Sequence, residues 1–406
     1  MTANKNTQQR KHIGILTLPL LANYGGLLQT AALQECIRKL GGSPINISYA
    51  LPSVLNTWHI QGKGKRLLLP ILLRLGFFEL IFNLYNCRWI SLNCARVFGK
   101  LGLRSLMRAR KGARQRSFIQ AYIKQTPYCS PYGLSKLIRK HNITACVAGS
   151  DQVWRYGYVP DKRIFFCSFA PAKVRKNSIS YAASYGVDTW EWPADLTETC
   201  RPLAQDFKAH SVREESGVEL CRQNLEVEAQ WMPDPTFLLS KADYLEIIAQ
   251  SNLPPVEKPE SYIAYYILDM TPEKRQFLDQ LSRTTGLPLV NCMYENPEAE
   301  ADKSYYRPIE HWLNLIESAR YMVTDSFHGS VFSIIFNTNF FCFGNKNRGN
   351  SRFDSLFGKL ALSHCLIQSD AITLQSTADI PWQSVNDTLR SWQQKGQSFL
   401  KNNLNL

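Results

Sequence analysis

No Cys-x-x-Cys pair occurs anywhere in the 406 residues; the eleven cysteines stand singly, from Cys36 to Cys365. The usual zinc spacings are thereby excluded and no disulfide framework is signalled, so a reducing, cytoplasmic setting without a metal is expected. G-x-G-x-x-G and G-x-x-x-x-G-K-[ST] are also missing, which leaves nicotinamide, flavin and P-loop nucleotide cofactors without support, and no cofactor is expected. The polar start MTANKNTQQRKH runs straight into an apolar strand at Ile13, which argues against a secretory leader.

Acids are scarce beside bases, 33 Asp and Glu against 47 Lys and Arg, and the excess is concentrated. Between Gln61 and Arg116 thirteen bases face the single acid Glu79. That window also holds RLLLPILLRLGFFELIFNLY, residues 66–85, which Pro70, Arg74 and Glu79 interrupt as a membrane span. An interfacial segment, with bases toward anionic head groups and apolar side chains toward acyl chains, explains both features. A solvated basic face on a helical insertion explains the charge alone. Phe77, Phe78 and Phe82 lie among leucines, as packing or membrane side chains do, so nucleic acid is not the expected partner.

What is present is a βα rhythm. IGILTL, the glycine turn NYGG and the helical LLQTAALQECIRKLGG open a βαβ unit, and ITACVAGS, NSISYAASYG and SVRE continue it. After the proline-bounded loop QWMPDPTFLL the alternation restarts with SYIAYYILD and runs to NFFCFG. The expected fold is α/β with two Rossmann-like doubly wound domains facing a cleft. The first covers 12–235 with a basic apolar helical insertion at about 52–118, the second 236–380, and a helix at 381–406 packs back on the first. Ligands in such sheets sit beyond the carboxyl ends of the strands, where each polar cluster of this chain falls.

Asn23, Gly25 and Gly26 open a helix whose free N–H groups suit an anion, or form a tight turn with no ligand. Gly149, Ser150, Asp151 and Gln152 end a buried strand; Asp151 can orient or deprotonate a hydroxyl, or cap the next helix. Arg213 offers two parallel donors to a carboxylate or phosphate, or pairs internally with Glu214 or Glu215. In TDSFHG, Asp325, Ser326, His328 and Gly329 lie between a strand and a helix, and His328 is either an acid, base or phosphate donor or a structural imidazole. Arg348 and Arg352 sit in a glycine-containing basic loop of the kind that binds anions, or form a solvated basic turn.

The ordered set NYGGLLQTAAL, VAGSDQVWR, SYAASYG, SVREESG, DPTFLL and TDSFHGSVFSIIF resembles the polysaccharide pyruvyl transferase family over about residues 13–360. The resemblance implies a GT-B-like architecture, phosphoenolpyruvate as donor, and a bacterial surface glycan, often lipid-linked, as acceptor of a pyruvate ketal. It implies His328 as acid or phosphate donor, Arg213 as anion clamp and Asp151 as hydroxyl base. Some relatives carry an arginine where this chain has Ser326, and Arg348 or Arg352 is the expected substitute. The alternative is a GT-B-type nucleotide-sugar glycosyltransferase of surface polysaccharide assembly, whose cleft would hold a nucleotide diphosphate instead.

Overall fold

The structure, a computed structural model, describes residues 10–20, 23–49, 114–158, 161–294, 306–344, 349–367 and 380–406. Most of the basic apolar run at 61–116, and Arg348, lie outside these residues. Among the described residues no helix is long and apolar enough to cross a membrane, and no group of three His, Cys, Asp or Glu is arranged to hold a metal.

Short, wholly buried apolar strands favour parallel sheets covered on both faces, and the chain builds two of them. Strands β1 (His12–Leu16), β2 (Ser43–Asn46), β3 (Ala145–Ala148) and β4 (Ile179–Ser180) lie parallel in the order β2-β1-β3-β4. Bridges from Ile179 to Ala209 and from Ala183 to Val212 extend this layer to the parallel pair β5 (His210–Val212) and β6 (Ala229–Trp231). The second sheet runs β11-β10-β9-β7-β8, again all parallel, with β7 (Ile263–Tyr266), β8 (Leu289–Asn291), β9 (Tyr321–Thr324), β10 (Asn339–Phe343) and β11 (Leu366–Ile367). The period-2 alternation of a strand sorts their side chains into two layers. Ile13, Ile15 and Val147 enter one core while Leu16, Cys146 and Ala148 enter another. Ala264, Met322 and Phe340 do the same against Ile263, Val323 and Phe341. This is the doubly wound α/β architecture expected from the sequence.

In each sheet the strand order reverses beside its first strand, β1 or β7, the place where a crevice opens beyond the strand ends. Helix α1 (Tyr24–Lys39) joins the two layers, because twelve of its sixteen residues are buried and both its faces are therefore apolar. Leu27, Leu28 and Ala31 pack into the core of the second sheet with Trp312 and Phe332, whereas Leu33, Cys36 and Ile37 pack with Ile13 and Val147. The last helix, Trp382–Leu404, bridges the same cores, with Trp392 in one and Phe399, Leu400 and Leu404 in the other.

Candidate active site

Asp234, between Pro233 and Pro235 in the loop after β6, is the hub at the strand ends. Its Oδ1 caps the short turn Pro235–Leu238 by accepting from the amide and hydroxyl of Thr236, at 3.0 and 2.8 Å. Its Oδ2 accepts from Ser150 Oγ and from Arg213 Nη1, each at 2.9 Å, and lies 3.6 Å from His328 Nε2. Ser150 comes from the end of β3, Arg213 from the end of β5, and His328 from the helix Phe327–Phe336 that follows β9. Burial on its own would push the Asp234 carboxyl up. The neighbouring His328 imidazole, the Arg213 guanidinium and the Thr236 amide instead hold it well below the usual carboxylate range. An acid so firmly ionised orients its neighbours and balances their charge; it does not supply a proton.

The glycine pair explains how His328 reaches this hub. A Cβ on Gly25 would lie 1.9 Å from His328 Nδ1, so only a glycine lets the imidazole pack against the start of α1. Gly26 faces the other way, where a Cβ would sit 3.6 Å from Asp151 Oδ2. The first turn of α1, whose Gly25 amide donates to Asn23 Oδ1 at 3.1 Å, thus receives an imidazole from the second sheet and a carboxylate from the first. Asp151 holds φ 79°, a left-handed backbone that costs a non-glycine residue on the order of 1–3 kcal/mol. Its carbonyl accepts from the amides of Val153 at 2.7 Å and Ser184 at 3.1 Å, and its Oδ1 accepts from the Gln152 amide at 2.8 Å. Asp151 therefore caps no helix; its Oδ2 is left facing the α1 terminus.

Arg213 is 3% exposed, and its Nε and Nη2 make no hydrogen bond among the described residues. Its internal partner is chiefly Asp234; Glu214 Oε1 stands 3.6 Å from Nε and accepts instead from Ser184 Oγ, while Glu214 Oε2 has no hydrogen-bond partner among the described residues. Burial works against the Arg213 cation, but Glu214, Asp234 and Asp151 raise its pKa above the usual arginine value. Arg352, 7% exposed, lies against the same Phe327 ring as Arg213, with guanidinium carbons 5.6 and 4.6 Å from the centroid. Burial and the adjacent Arg213 push Arg352 down to about 10. Two buried guanidiniums against one ring, with unused N–H donors on Arg213, are a chemistry suited to an anion.

The remaining candidates fall at different distances from this cluster. Gln152 Oε1 accepts from Arg155 Nη1 at 2.8 Å and fills the space beside Gly186. Gly349, at φ 90°, comes so close to Gly186 that a Cβ would lie 1.7 Å from its carbonyl oxygen, which brings the backbone just before Arg352 against the segment that follows β4. Gly149 is in ordinary contact range of the Leu16 carbonyl, and Gly329 is packed against Thr324 Oγ1. Asp325 sits apart in role: its oxygens accept from the Leu268 amide at 2.6 Å, the Asp269 amide at 3.1 Å and Lys274 Nζ at 2.7 Å, so it ties β9 to the loop after β7. Ser326 caps its helix by accepting from the Gly329 amide at 3.5 Å. Asp234 and Phe327 were not singled out from the sequence, which named Glu214 only as a partner for Arg213. The only signal for Asp234 is a carboxylate fixed between two prolines at a strand end.

Among models of known families, that of the polysaccharide pyruvyl transferases matches residues 23–347, most of the chain. None of the curated proteins matches it. Solved structures with a similar course include the UDP-GlcNAc 2-epimerase from Neisseria meningitidis bound to UDP-GlcNAc, at 9% identity and TM-score 0.47, over 97% of this chain and 99% of that one. The glycosyltransferase SnogD from Streptomyces nogalater is 11% identical at TM-score 0.43, over 96% and 95% of the two chains. The E. coli ADP-heptose LPS heptosyltransferase II is 9% identical at TM-score 0.35, over 95% and 99%. Likeness at this level says nothing of substrate or chemistry.

Proposed function

This chain belongs to the polysaccharide pyruvyl transferase family, and we propose that it moves the enolpyruvyl unit of phosphoenolpyruvate onto a sugar of a lipid-linked bacterial surface glycan, forming a pyruvate ketal and releasing phosphate. The observation that carries the reading is the buried pair Arg213 and Arg352 beside the His328–Asp234 contact. Phosphoenolpyruvate brings a phosphate and a carboxylate to one small molecule, and paired guanidiniums answer both.

In the proposed sequence His328, oriented by Asp234, delivers a proton to the methylene carbon, and positive charge develops at the carbon bearing the phosphate ester. Asp151 takes the proton of the first sugar hydroxyl as its oxygen bonds to that carbon. Asp151 passes that proton to the bridging oxygen as the C–O bond to phosphate breaks, and hydrogen phosphate leaves as a dianion held by Arg213 and Arg352. A second hydroxyl of the same sugar closes the ring. One hydroxyl proton restores what the methylene carbon took, the other leaves on phosphate, and atoms and charge balance.

The test is incubation with phosphoenolpyruvate and a panel of free and lipid-linked hexosides, following phosphate release and the mass of the glycan. Turnover of a sugar nucleotide without any use of phosphoenolpyruvate would install the glycosyltransferase reading in its place. The basic run at 61–116, mostly outside the described residues, is the part of the sequence suited to bring such an enzyme to an anionic inner membrane face. Co-sedimentation with liposomes should then require anionic lipid and weaken with salt; equal sedimentation with neutral vesicles removes the membrane from the proposal.

A further inference from the structure

The strand end that carries Asp151 runs on into Trp154, Arg155, Tyr156, Gly157 and Tyr158. The base of this segment is pinned from the interior. Trp154 is fully buried and stacked on Phe166 at 5.2 Å, its carbonyl accepts from Trp192 Nε1 at 2.8 Å, and the Arg155 carbonyl accepts from Lys162 Nζ. Lys162 is itself buried, which pushes its amine down to about 8 although Glu191 draws it up. Burying a cation is unfavourable, and the hydrogen bond Lys162 makes there holds this one carbonyl in place. The tip is the opposite. Tyr156 and Tyr158, 45% and 42% exposed, are two of the five large hydrophobic side chains exposed among the described residues, and Gly157 turns the backbone between them at φ 72°. This tip adjoins the arginine cluster. Arg155 Nη1 donates to Gln152 Oε1 at 2.8 Å and lies 3.6 Å from where a Cβ on Gly349 would be. The Arg155 guanidinium carbon is 5.0 Å from the Tyr158 centroid, and Tyr158 is among the groups whose charge acts on Arg352.

We propose that Tyr156 and Tyr158 form the acceptor subsite: their rings are the platform against which a hexose of the glycan lies, on the same segment that carries Asp151. A pyranose has a face of C–H groups and a rim of hydroxyls. The electron-rich face of a phenol ring receives the first, while its own hydroxyl and the polar groups around it answer the second. A protein partner is marked by a contiguous apolar patch of several hundred Å². Two tyrosines separated by a glycine and flanked by Arg155 are a smaller and more polar surface than that. The pinned base serves the same end, because a platform already in place gives up little conformational freedom when the sugar arrives. The choice of a sugar rests on the pyruvyl transferase reading, whose glycan acceptor it locates; the location does not depend on which donor is used.

Binding and turnover of methyl hexosides of gluco, galacto and manno configuration by the full chain test it on the wild type, Tyr156→Ala, Tyr158→Ala, Tyr156→Phe and Tyr158→Phe. Saturation-transfer NMR reads the binding, and steady-state kinetics with phosphoenolpyruvate reads the turnover. Each alanine variant should weaken the hexoside about three- to tenfold, the scale of one aromatic contact. Each phenylalanine variant keeps the ring and should retain clearly more affinity than its alanine counterpart. In turnover the alanine variants should raise the KM for the hexoside by more than the KM for phosphoenolpyruvate, a split that a general loss of folding does not produce. Alanine variants that bind the hexosides as tightly as wild type, or phenylalanine variants that lose as much as alanine, overturn the proposal and leave the donor reading standing if phosphoenolpyruvate is consumed. A chain that uses a sugar nucleotide and leaves phosphoenolpyruvate untouched, yet loses hexoside affinity in the alanine variants, sinks the donor reading and upholds the platform. A wild type that binds none of the hexosides overturns the platform.

Discussion

Gly25→Ala puts the smallest possible obstacle at the point where His328 from the second sheet meets the start of α1. The added methyl carbon would lie 1.9 Å from His328 Nδ1, 2.3 Å from Cγ and 2.5 Å from Cε1. Ordinary contact begins at 3.4 Å, so the ring must retreat by about 1.5 Å, the difference between 3.4 and 1.9 Å. It has little room to do so, because Phe327 meets it edge to face and Asp234 stands at its Nε2. Misplacing a catalytic group by about 1 Å costs on the order of a hundredfold in rate, which is the expected loss in kcat. Stability changes less: overpacking costs about 1–3 kcal/mol, and replacing a helical glycine by alanine returns about 0.5–1 kcal/mol. Gly358→Ala, in a helix with nothing within 4 Å of the new methyl group, supplies the control for the second of these effects. Phosphate release and urea unfolding on both variants would measure the two quantities separately. A Gly25→Ala enzyme within threefold of wild type in kcat would refute the argument that His328 acts from this position.

Three further variants separate the roles of the buried charges. Because the Asp234 carboxyl is held below its ordinary value, its contribution to stability is complete above the usual carboxylate range of about 4 and drains away as pH falls toward the lowered value. Asp234→Asn should therefore be less stable at neutral pH by about 3 kcal/mol, since Arg213 loses its charge partner, and its stability should depend less on pH between about 5 and 3, as urea unfolding across that range would show. Asp325→Ala strands Lys274 and two backbone amides, so it should lose on the order of 3 kcal/mol of stability while the folded fraction keeps kcat within a few-fold; a large loss of kcat in fully folded enzyme would move Asp325 into the chemistry. With Arg352 pushed down to about 10, the KM for phosphoenolpyruvate should rise as pH climbs through that value, and Arg352→Gln should show the raised KM already at pH 7; an unchanged KM removes Arg352 from the anion site.

Much of the architecture could be read from the chain, because buried parallel strands are short apolar runs and their turns are marked by glycine and polar residues. The same marks put Gly25, Asp151, Arg213 and His328 at strand ends, and the structure brings these four together around α1 and Asp234. Spacing could not assign partners across such distances in sequence. Glu214 adjoins Arg213 in the chain and was the natural candidate for its ion pair, yet the closer carboxylate is Asp234. Asp325 illustrates the opposite case. It sits three residues before His328 and reads as part of the same polar knot, but the strand end turns its side chain toward the neighbouring strand's loop and Lys274. Ser326, where some relatives are expected to carry arginine, is occupied with capping its own helix, and the second buried guanidinium comes from Arg352, shortly after the Gly349 that meets Gly186. Phe327 left no signal in the sequence, since an aromatic residue at the start of an apolar helix reads as core.

The most direct measurement is turnover in deuterated water with phosphoenolpyruvate and a hexoside acceptor, the glycan product being read by mass spectrometry and NMR. The account predicts one phosphate released for each ketal formed, a methyl group carrying deuterium taken from solvent, and loss of all three signals in His328→Ala. A glycan extended by a sugar from a nucleotide donor, with phosphoenolpyruvate untouched, would contradict it.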